Sequence, residues 1–322
     1  MPSRIVQALI VCFWLATLGW FGHREIWPRL FPGRAPPFVI ELADEATQQG
    51  QTFWTIYRDD RDIGNAITSL RDDQAIGKAR TSLKYLNADD TFELACEMKD
   101  VELYDSNPIC IYIAAMTNRY VVSRAGELRS VSTRGELRAE SKKRKDSHVP
   151  GFALFTVTAN FDARVEDGKL LRSAKITVPF LGDISPKLEP MDVPSGNVLN
   201  PMHPVPRVTG LRPGRRWRMP VFNPMGDAVS PTMQAAAEQS KLTPKGSAVP
   251  VPTGPTYLDA EVLSERAMIS WNGREYECYV IDYRSVGNEH AARTYVRVRD
   301  GLVLRQEASA MGDHERFIMQ RD

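Results

Sequence analysis

Two short runs hold the residue types of a hydrolytic triad, Asp146-Ser147-His148 and Asp313-His314-Glu315. Nucleophilic catalysis needs such groups to converge on one reacting atom, whereas neighbours in sequence point apart, so both runs read as solvated loops. The five histidines, His23, His148, His203, His290 and His314, stand singly. Four of them fall in predicted loops or turns. The chain has no Gly-x-Ser-x-Gly elbow, no His-Glu-x-x-His, no Gly-rich phosphate loop and no dinucleotide fingerprint. These absences lead us to expect no catalytic residue, no metal ligand set and no cofactor, in a protein that is not an enzyme.

Charge suggests one contact. Lys142-Lys143-Arg144-Lys145, beside Arg138 and His148, is the one dense basic run. It could grip an anionic lipid headgroup or an acidic glycan, or it is a solvated loop. The chain carries 41 basic and 40 acidic side chains; with Arg4 set aside the remainder is formally neutral, which leaves no overall field to attract nucleic acid. The second basic stretch, Arg212-Pro213-Gly214-Arg215-Arg216-Trp217-Arg218, reads as a Pro-Gly turn leading into a strand with Trp217 packed inward. Cys96, Cys110 and Cys278 show no Cys-x-x-Cys spacing, so neither zinc nor a disulfide framework is indicated. A Cys96–Cys110 bridge and buried free thiols both stay open.

Strands must position whatever this chain binds. Asp167-Gly168, Asn272-Gly273 and Asp300-Gly301 each lie between runs rich in β-branched and aromatic residues, and such pairs suit the positive φ angles of a two-residue type I′ hairpin. Strands are predicted over Thr52–Arg58, Arg80–Leu86, Thr91–Met98, Ile109–Ser123, Phe152–Val165, Leu170–Val178, Arg216–Phe222, Ala267–Trp271 and Glu275–Arg284. Around the last turn Thr294, Val296 and Val298 alternate with Arg293, Tyr295, Arg297 and Arg299, and Leu302 and Leu304 follow. That pattern predicts one apolar and one wet face. Nothing alternates strand with helix as a parallel βαβ fold requires. The expected class is mainly β, a strongly bent, half-barrel-like antiparallel sheet with few short helices.

Pro186 to Pro213 holds seven prolines, and Pro244 to Pro255 is rich in Pro, Gly and Val. Both predict extended loops, and Ser230-Pro231 followed by Thr232 to Gln239 predicts a short capped helix between them. We read residues 186–256 as a Pro-rich insertion in a β domain spanning 51–322. Phe53, Trp54, Tyr57, Trp217, Phe222, Trp271, Tyr276 and Tyr279 lie on predicted strands. Of these, Trp54, Trp217, Phe222, Trp271 and Tyr279 are candidates to face a lipophilic ligand or else to fill the core.

The N-terminus supplies a location. Ile5 to Phe21 carries no charge, and at helical rise it spans about 26 Å, just short of the ~30 Å hydrocarbon core. It reads as an uncleaved transmembrane anchor (residues 1–22) or as the core of a cleaved signal peptide. A Pro-rich spacer (23–50) then lifts the domain off the membrane. Arg24, Arg29 and Arg34 weigh mildly against export on charge alone. The short leader and the β-rich character place the large domain outside the cytoplasm, in the periplasm.

Three segments together resemble the LolA-like superfamily of periplasmic lipoprotein carriers and related exported β domains. They are Phe53-Trp54-Thr55-Ile56-Tyr57 leading to Ile63-Gly64, the run from Leu211 to Val221, and the close from Trp271 to Arg305. The resemblance covers about residues 50–322. It implies a bent antiparallel sheet with a concave, partly apolar face covered by helix or loop, and no catalytic residues. The apolar N-terminal segment and the small helix content set this chain apart from soluble carriers. The expected function is a membrane-anchored, extracytoplasmic, non-enzymatic domain that binds a lipophilic ligand or envelope component. The alternative is a structural or accessory subunit of an envelope assembly, with no small-molecule ligand.

Overall fold

The computed structural model describes residues 13–14, 17–20, 50–59, 75–86, 90–106, 109–124, 127–141, 153–193, 206–221, 256–285, 290–309 and 316–322. Apart from helical residues at 13–14 and 17–20, its regular structure is all strand. The first half holds β1 (Gln51–Asp59), β2 (Ala75–Leu86), β3 (Thr91–Ser106), β4 (Ile109–Ser123), β5 (Leu128–Ser141), β6 (Ala153–Glu166), β7 (Lys169–Val178), β8 (Gly182–Ile184) and β9 (Met191–Asp192). The second holds β10 (Arg216–Val221), β11 (Thr256–Val262), β12 (Ala267–Trp271), β13 (Arg274–Arg284), β14 (His290–Arg297), β15 (Val303–Ser309) and β16 (Arg316–Arg321).

These strands make one antiparallel sheet in the order β10-β11-β13-β14-β15-β16-β1-β2-β3-β4-β5-β6-β7-β8, with β12 attached to β13 and β9 to β7. Its two halves are joined where β1 pairs with β16. The sheet is open, because its outer strands β10 and β8 are not paired with each other.

One face is lined throughout by apolar side chains. On β2 to β6, Leu83, Leu94, Tyr120, Val131 and Ala163 stand opposite one another along the register. On β10, β11, β13 and β14 the matching row is Trp217, Ala260, Tyr283 and Ala292. Both rows belong to one hydrophobic cluster that includes Trp54 and Phe161. A fully buried Leu, Val or Phe in this cluster contributes about 1.5–3 kcal/mol. This is the buried, inner face of the sheet.

Gly77 and Asp100 mark one bend. Asp100 has a φ of +50° within β3, two residues before the register shift between Glu102 and Tyr104, and the next residue, Val101, packs over Gly77. A Cβ on Gly77 would lie 2.8 Å from the Val101 Cα, so glycine permits the close approach.

The predicted turns divide in their outcome. Asp167-Gly168 and Asn272-Gly273 carry positive φ at both residues, as type I′ requires. Asp300-Gly301 does not: only Gly301 is positive, and the loop runs over Val298–Gly301, closed by Arg297 N–H to Leu302 O (2.8 Å). Asp300 is occupied otherwise, because its carboxylate accepts from Arg297 at 2.8 and 2.6 Å and from the Leu302 amide.

The face of β14 predicted to be wet is covered. The β12–β13 hairpin folds across the outside of β15 and β16, where Trp271 Nε1 donates to Asp322 O (3.3 Å) and Gln320 Nε2 to Ser270 O (3.4 Å). Beneath it Ile269, Cys278, Val280, Tyr295, Leu302 and Leu304 form a second cluster. A register shift between Tyr295 and Val296 sends Leu304 outward and Val303 inward, so Leu302 and Leu304 do not continue the inner face.

Antiparallel order gives the sheet two unlike ends. The tight turns at 167–168 and 298–301 close one end, where β1 also begins. The strands flanking positions 60–74, 142–152 and 222–255 meet those connections at the other. The predicted helix over 232–239 and the loop over 244–255 lie outside the described residues, as does most of the predicted anchor. Within 186–213, where no strand was expected, the two-residue β9 pairs with β7 and Arg207 bridges to Leu302.

Candidate functional site

The densest chemistry lies on the outer face of β13 to β16 and β1, where a row of ionisable groups is buried. Asp282 is fully buried and Arg293 stands directly opposite it on β14. Asp282 accepts from Arg293 Nε (2.8 Å) and Arg284 Nε (2.8 Å), and His290 Nδ1 lies 2.9 Å away. Burial alone would raise the Asp282 carboxyl, but the guanidinium hydrogen bonds outweigh it and hold the group below its ordinary range.

Two strands further on, Arg316 is fully buried between carboxylates. Its Nη1 is 3.0 Å from Glu307 Oε2, while Nε and Nη2 bond Asp59 Oδ2 at 3.0 and 2.8 Å. Glu307 is pushed up by burial, with Arg316 and Arg305 opposing the shift. Tyr295 lies between the two groups and is raised to about 12 by burial. Cys278 is likewise raised to about 12. Neither is a ready nucleophile at neutral pH.

This ladder is chemically self-contained. Each carboxylate already accepts from guanidinium, and the guanidiniums are held in turn. Such an arrangement binds strands together; a proton donor or acceptor poised toward a substrate would need a free direction. The sequence reading missed it because alternation on β14 assigned Arg293 and Tyr295 to solvent. The available signal was the clustering of Asp282, Arg293, Arg305, Glu307 and Arg316 on consecutive strands, recognisable only once a second layer covers that face.

The aromatic candidates separate. Trp54 and Trp217 are 0% and 1% exposed on the inner face, and Trp217 meets Tyr283 edge-on with centroids 6.4 Å apart. Tyr279 packs against the inner cluster. Trp271 is on the covering hairpin instead, where the Arg297 guanidinium sits 5.1 Å from its ring and 4.9 Å from that of Tyr276. Phe222 and the basic run Lys142, Lys143, Arg144 and Lys145 lie outside the described residues.

Other features bear on binding. A concavity of about 500 Å³ lies over β5–β7, lined by Ser130, Ser132, Asp162, Arg164, Leu171 and Ser173 among others. Serines and charged groups are interspersed there with Val131, Ala163 and Leu171, and the hollow is open to solvent rather than enclosing as an acyl-chain site would be. On the inner face Thr133 Oγ1, Trp217 Nε1 and Gln306 Oε1 are buried without a hydrogen-bond partner. Cys96, Cys110 and Cys278 are buried thiols outside any disulfide. In register Cys96 faces Asn118 on β4, eight residues from Cys110, so the two thiols are roughly 27 Å apart along the strand and beyond any bridge. Among the described residues no cluster of three or more His, Cys, Asp or Glu has metal-binding geometry.

Fold and site define a large, open, antiparallel β protein with a filled inner face and a buried charge ladder. No known protein-family profile matches the chain, and no curated protein matches it. A similar solved structure is the crystal structure of a beta-barrel-like protein of domain of unknown function DUF1849 from Brucella abortus. It is 10% identical with a TM-score of 0.39, over 84% of this chain and 94% of that one. A likeness of that depth assigns neither activity nor membership of the LolA-like carriers.

Proposed function

We propose that the chain is a membrane-tethered, extracytoplasmic, non-enzymatic β module that engages an envelope component through its outer surface. The carrying observation is the filled inner face. Trp54, Phe92, Phe161 and Trp217 are each at most 1% exposed there, whereas enclosing a lipophile takes an open apolar cavity of roughly 300 Å³ or more. This favours the structural or accessory reading over a LolA-like carrier. The self-contained charge ladder supports a role without chemistry.

Tethering rests on the N-terminal segment. Its described residues are helical, and Phe13, Trp14, Leu18 and Trp20 are 71%, 60%, 56% and 65% exposed, apolar surface of the kind a membrane would take up. No helix of the described residues is long and apolar enough to cross a membrane.

Native mass spectrometry of the full-length protein extracted from membranes tests this reading. The expected spectrum shows the chain bare or with a stoichiometric protein. A lipid bound one-to-one that survives collisional activation would overturn it in favour of the carrier. A reporter active only outside the cytoplasm, fused after Asp322, should be active; a well-expressed silent fusion would reverse the orientation.

A further inference from the structure

Phe180 is wholly exposed, at 101%, and its φ is +70°, a region that bulky L-residues avoid. Burial cannot explain it and local backbone preference opposes it. The turn that presents it is nevertheless well held. Leu181 N–H donates to Val178 O (3.2 Å), Thr177 Oγ1 donates to Asp183 Oδ1 (2.7 Å), and Lys175 Nζ lies 2.7 Å from Asp183 Oδ2. A strained, rigidly displayed aromatic is the kind of outlier from which a contact is inferred.

It does not stand alone. Leu181 beside it is 49% exposed, and Leu154 and Phe155 at the start of β6 are 38% and 47% exposed. The β6–β7 ladder runs from Glu166 opposite Lys169 to Thr158 opposite Thr177, so Leu154 and Phe155 at the start of β6 and Phe180 and Leu181 in the turn after β7 lie at the same end of the sheet. Four apolar side chains therefore project from one end of the sheet, the end opposite Gln51.

We propose that this tip inserts into the interfacial layer of an anionic bilayer, a second membrane contact separate from the N-terminal segment. The shape favours a bilayer over a protein groove, because the patch is a projecting hairpin turn and lipid accepts convex apolar tips without a matching surface. Charge favours an anionic surface. Ser141, the last residue of β5, is followed directly by Lys142-Lys143-Arg144-Lys145, and the chain rejoins the sheet at Ala153, next to Leu154. The proposal rests on the surface-contact reading above and names the component contacted.

The test uses the full chain held by its N-terminal segment in a neutral-lipid nanodisc. Cys96, Cys110 and Cys278 are buried, so a Cys12→Ser, Leu181→Cys variant takes an environment-sensitive fluorophore at the tip. Phosphatidylcholine vesicles containing one-third phosphatidylglycerol should blue-shift the label and raise its intensity, and brominated lipid should quench it. A label at Tyr85→Cys, at the other end of β2, should not respond. In the labelled background Phe180→Asp should weaken vesicle affinity at least about tenfold. Phe180→Gly relieves the backbone strain, so it should fold at least as stably as the parent and still bind vesicles more weakly. Silence with anionic vesicles, an equal response to pure phosphatidylcholine, or undiminished binding by the folded Phe180→Gly variant would each overturn the proposal. A lipid enclosed one-to-one in the mass spectrum, with the tip still responding, would overturn the surface-module reading and leave the bilayer contact standing.

Discussion

Asp282 and Arg293 are cross-strand partners on β13 and β14, joined at 2.8 Å with the carboxylate fully buried. Because the folded pKa of Asp282 is lowered, its stabilising contribution is complete above the unfolded value of about 3.9 and disappears as pH falls through the lower folded value. Asp282→Asn should therefore be less stable than the parent at neutral pH, and the gap should close in the acid limb. Urea midpoints measured from neutral pH down to acid denaturation check this; a constant gap would contradict it.

Glu307 runs the other way. Burial raises its folded pKa, so the protonated form is favoured in the fold. Its contribution is fully present below the unfolded value of about 4.3 and is lost as pH rises through the raised folded value. Glu307→Gln should flatten the stability profile on the neutral side of that value, leaving the acid limb governed by Asp282. An unchanged profile would mean that Arg316 and Arg305 fully offset its burial.

Arg316 ties the last strand to the first. Replacing it by Met leaves Glu307 facing Arg305 at 3.9 Å and removes both bonds to Asp59. Breaking one side of a buried ion pair costs about 3–5 kcal/mol. Arg316→Met should lower the urea midpoint accordingly, and adding Glu307→Gln should recover part of the loss. A loss below about 1 kcal/mol, the range of exposed pairs, would show that the ladder is solvated.

The thiols of Cys96 and Cys278 are raised to about 12 by burial. In native protein at pH 8, Cys96, Cys110 and Cys278 should resist a thiol-reactive dye and then react together in denaturant. Denatured, unreduced protein that still fails to react at Cys96 and Cys110 would indicate a bridge.

Thr133 is fully buried with an unpartnered hydroxyl. Thr133→Val keeps the shape and removes the orphan group, so it should stabilise by about 1 kcal/mol. Destabilisation of that size would instead reveal a buried water or ligand at the hydroxyl, between β4 and β6.

Strand content was legible wherever local pattern and final environment agree. β4 and β12 follow the apolar and aromatic residues that predicted them. β5 escaped notice because Ser130, Ser132, Arg134 and Glu136 face outward and Gly135 interrupts the inner row, leaving little apolar periodicity to read. β11 and β16 were missed for want of a turn signal beside them. Alternation reports which side chains share a face, but it cannot report that a hairpin from elsewhere in the chain will fold over that face. The charge ladder was invisible for that reason, and so was the covering role of Trp271. Gly301 illustrates the same limit. The Asp-Gly pair announced a turn, yet its glycine is also required because a Cβ would lie 2.5 Å from the Val208 carbonyl oxygen of a distant segment.

The pairing of β1 with β16 also orders events in time. The C-terminal strand docks beside the first, with Asp322 N–H donating to Phe53 O (3.1 Å) and Thr55 Oγ1 to Asp322 Oδ1 (2.6 Å). As the chain emerges from the ribosome, β1 to β8 can zip hairpin by hairpin, and so can β13 to β15. The two halves have no ladder between them until β16 is made. Until then β1 keeps one edge open and Asp59 lacks Arg316. Closure of a loop this long is slow and entropically costly, so a nascent or truncated chain presents two unjoined half-sheets, and β16 is the piece whose arrival makes them one.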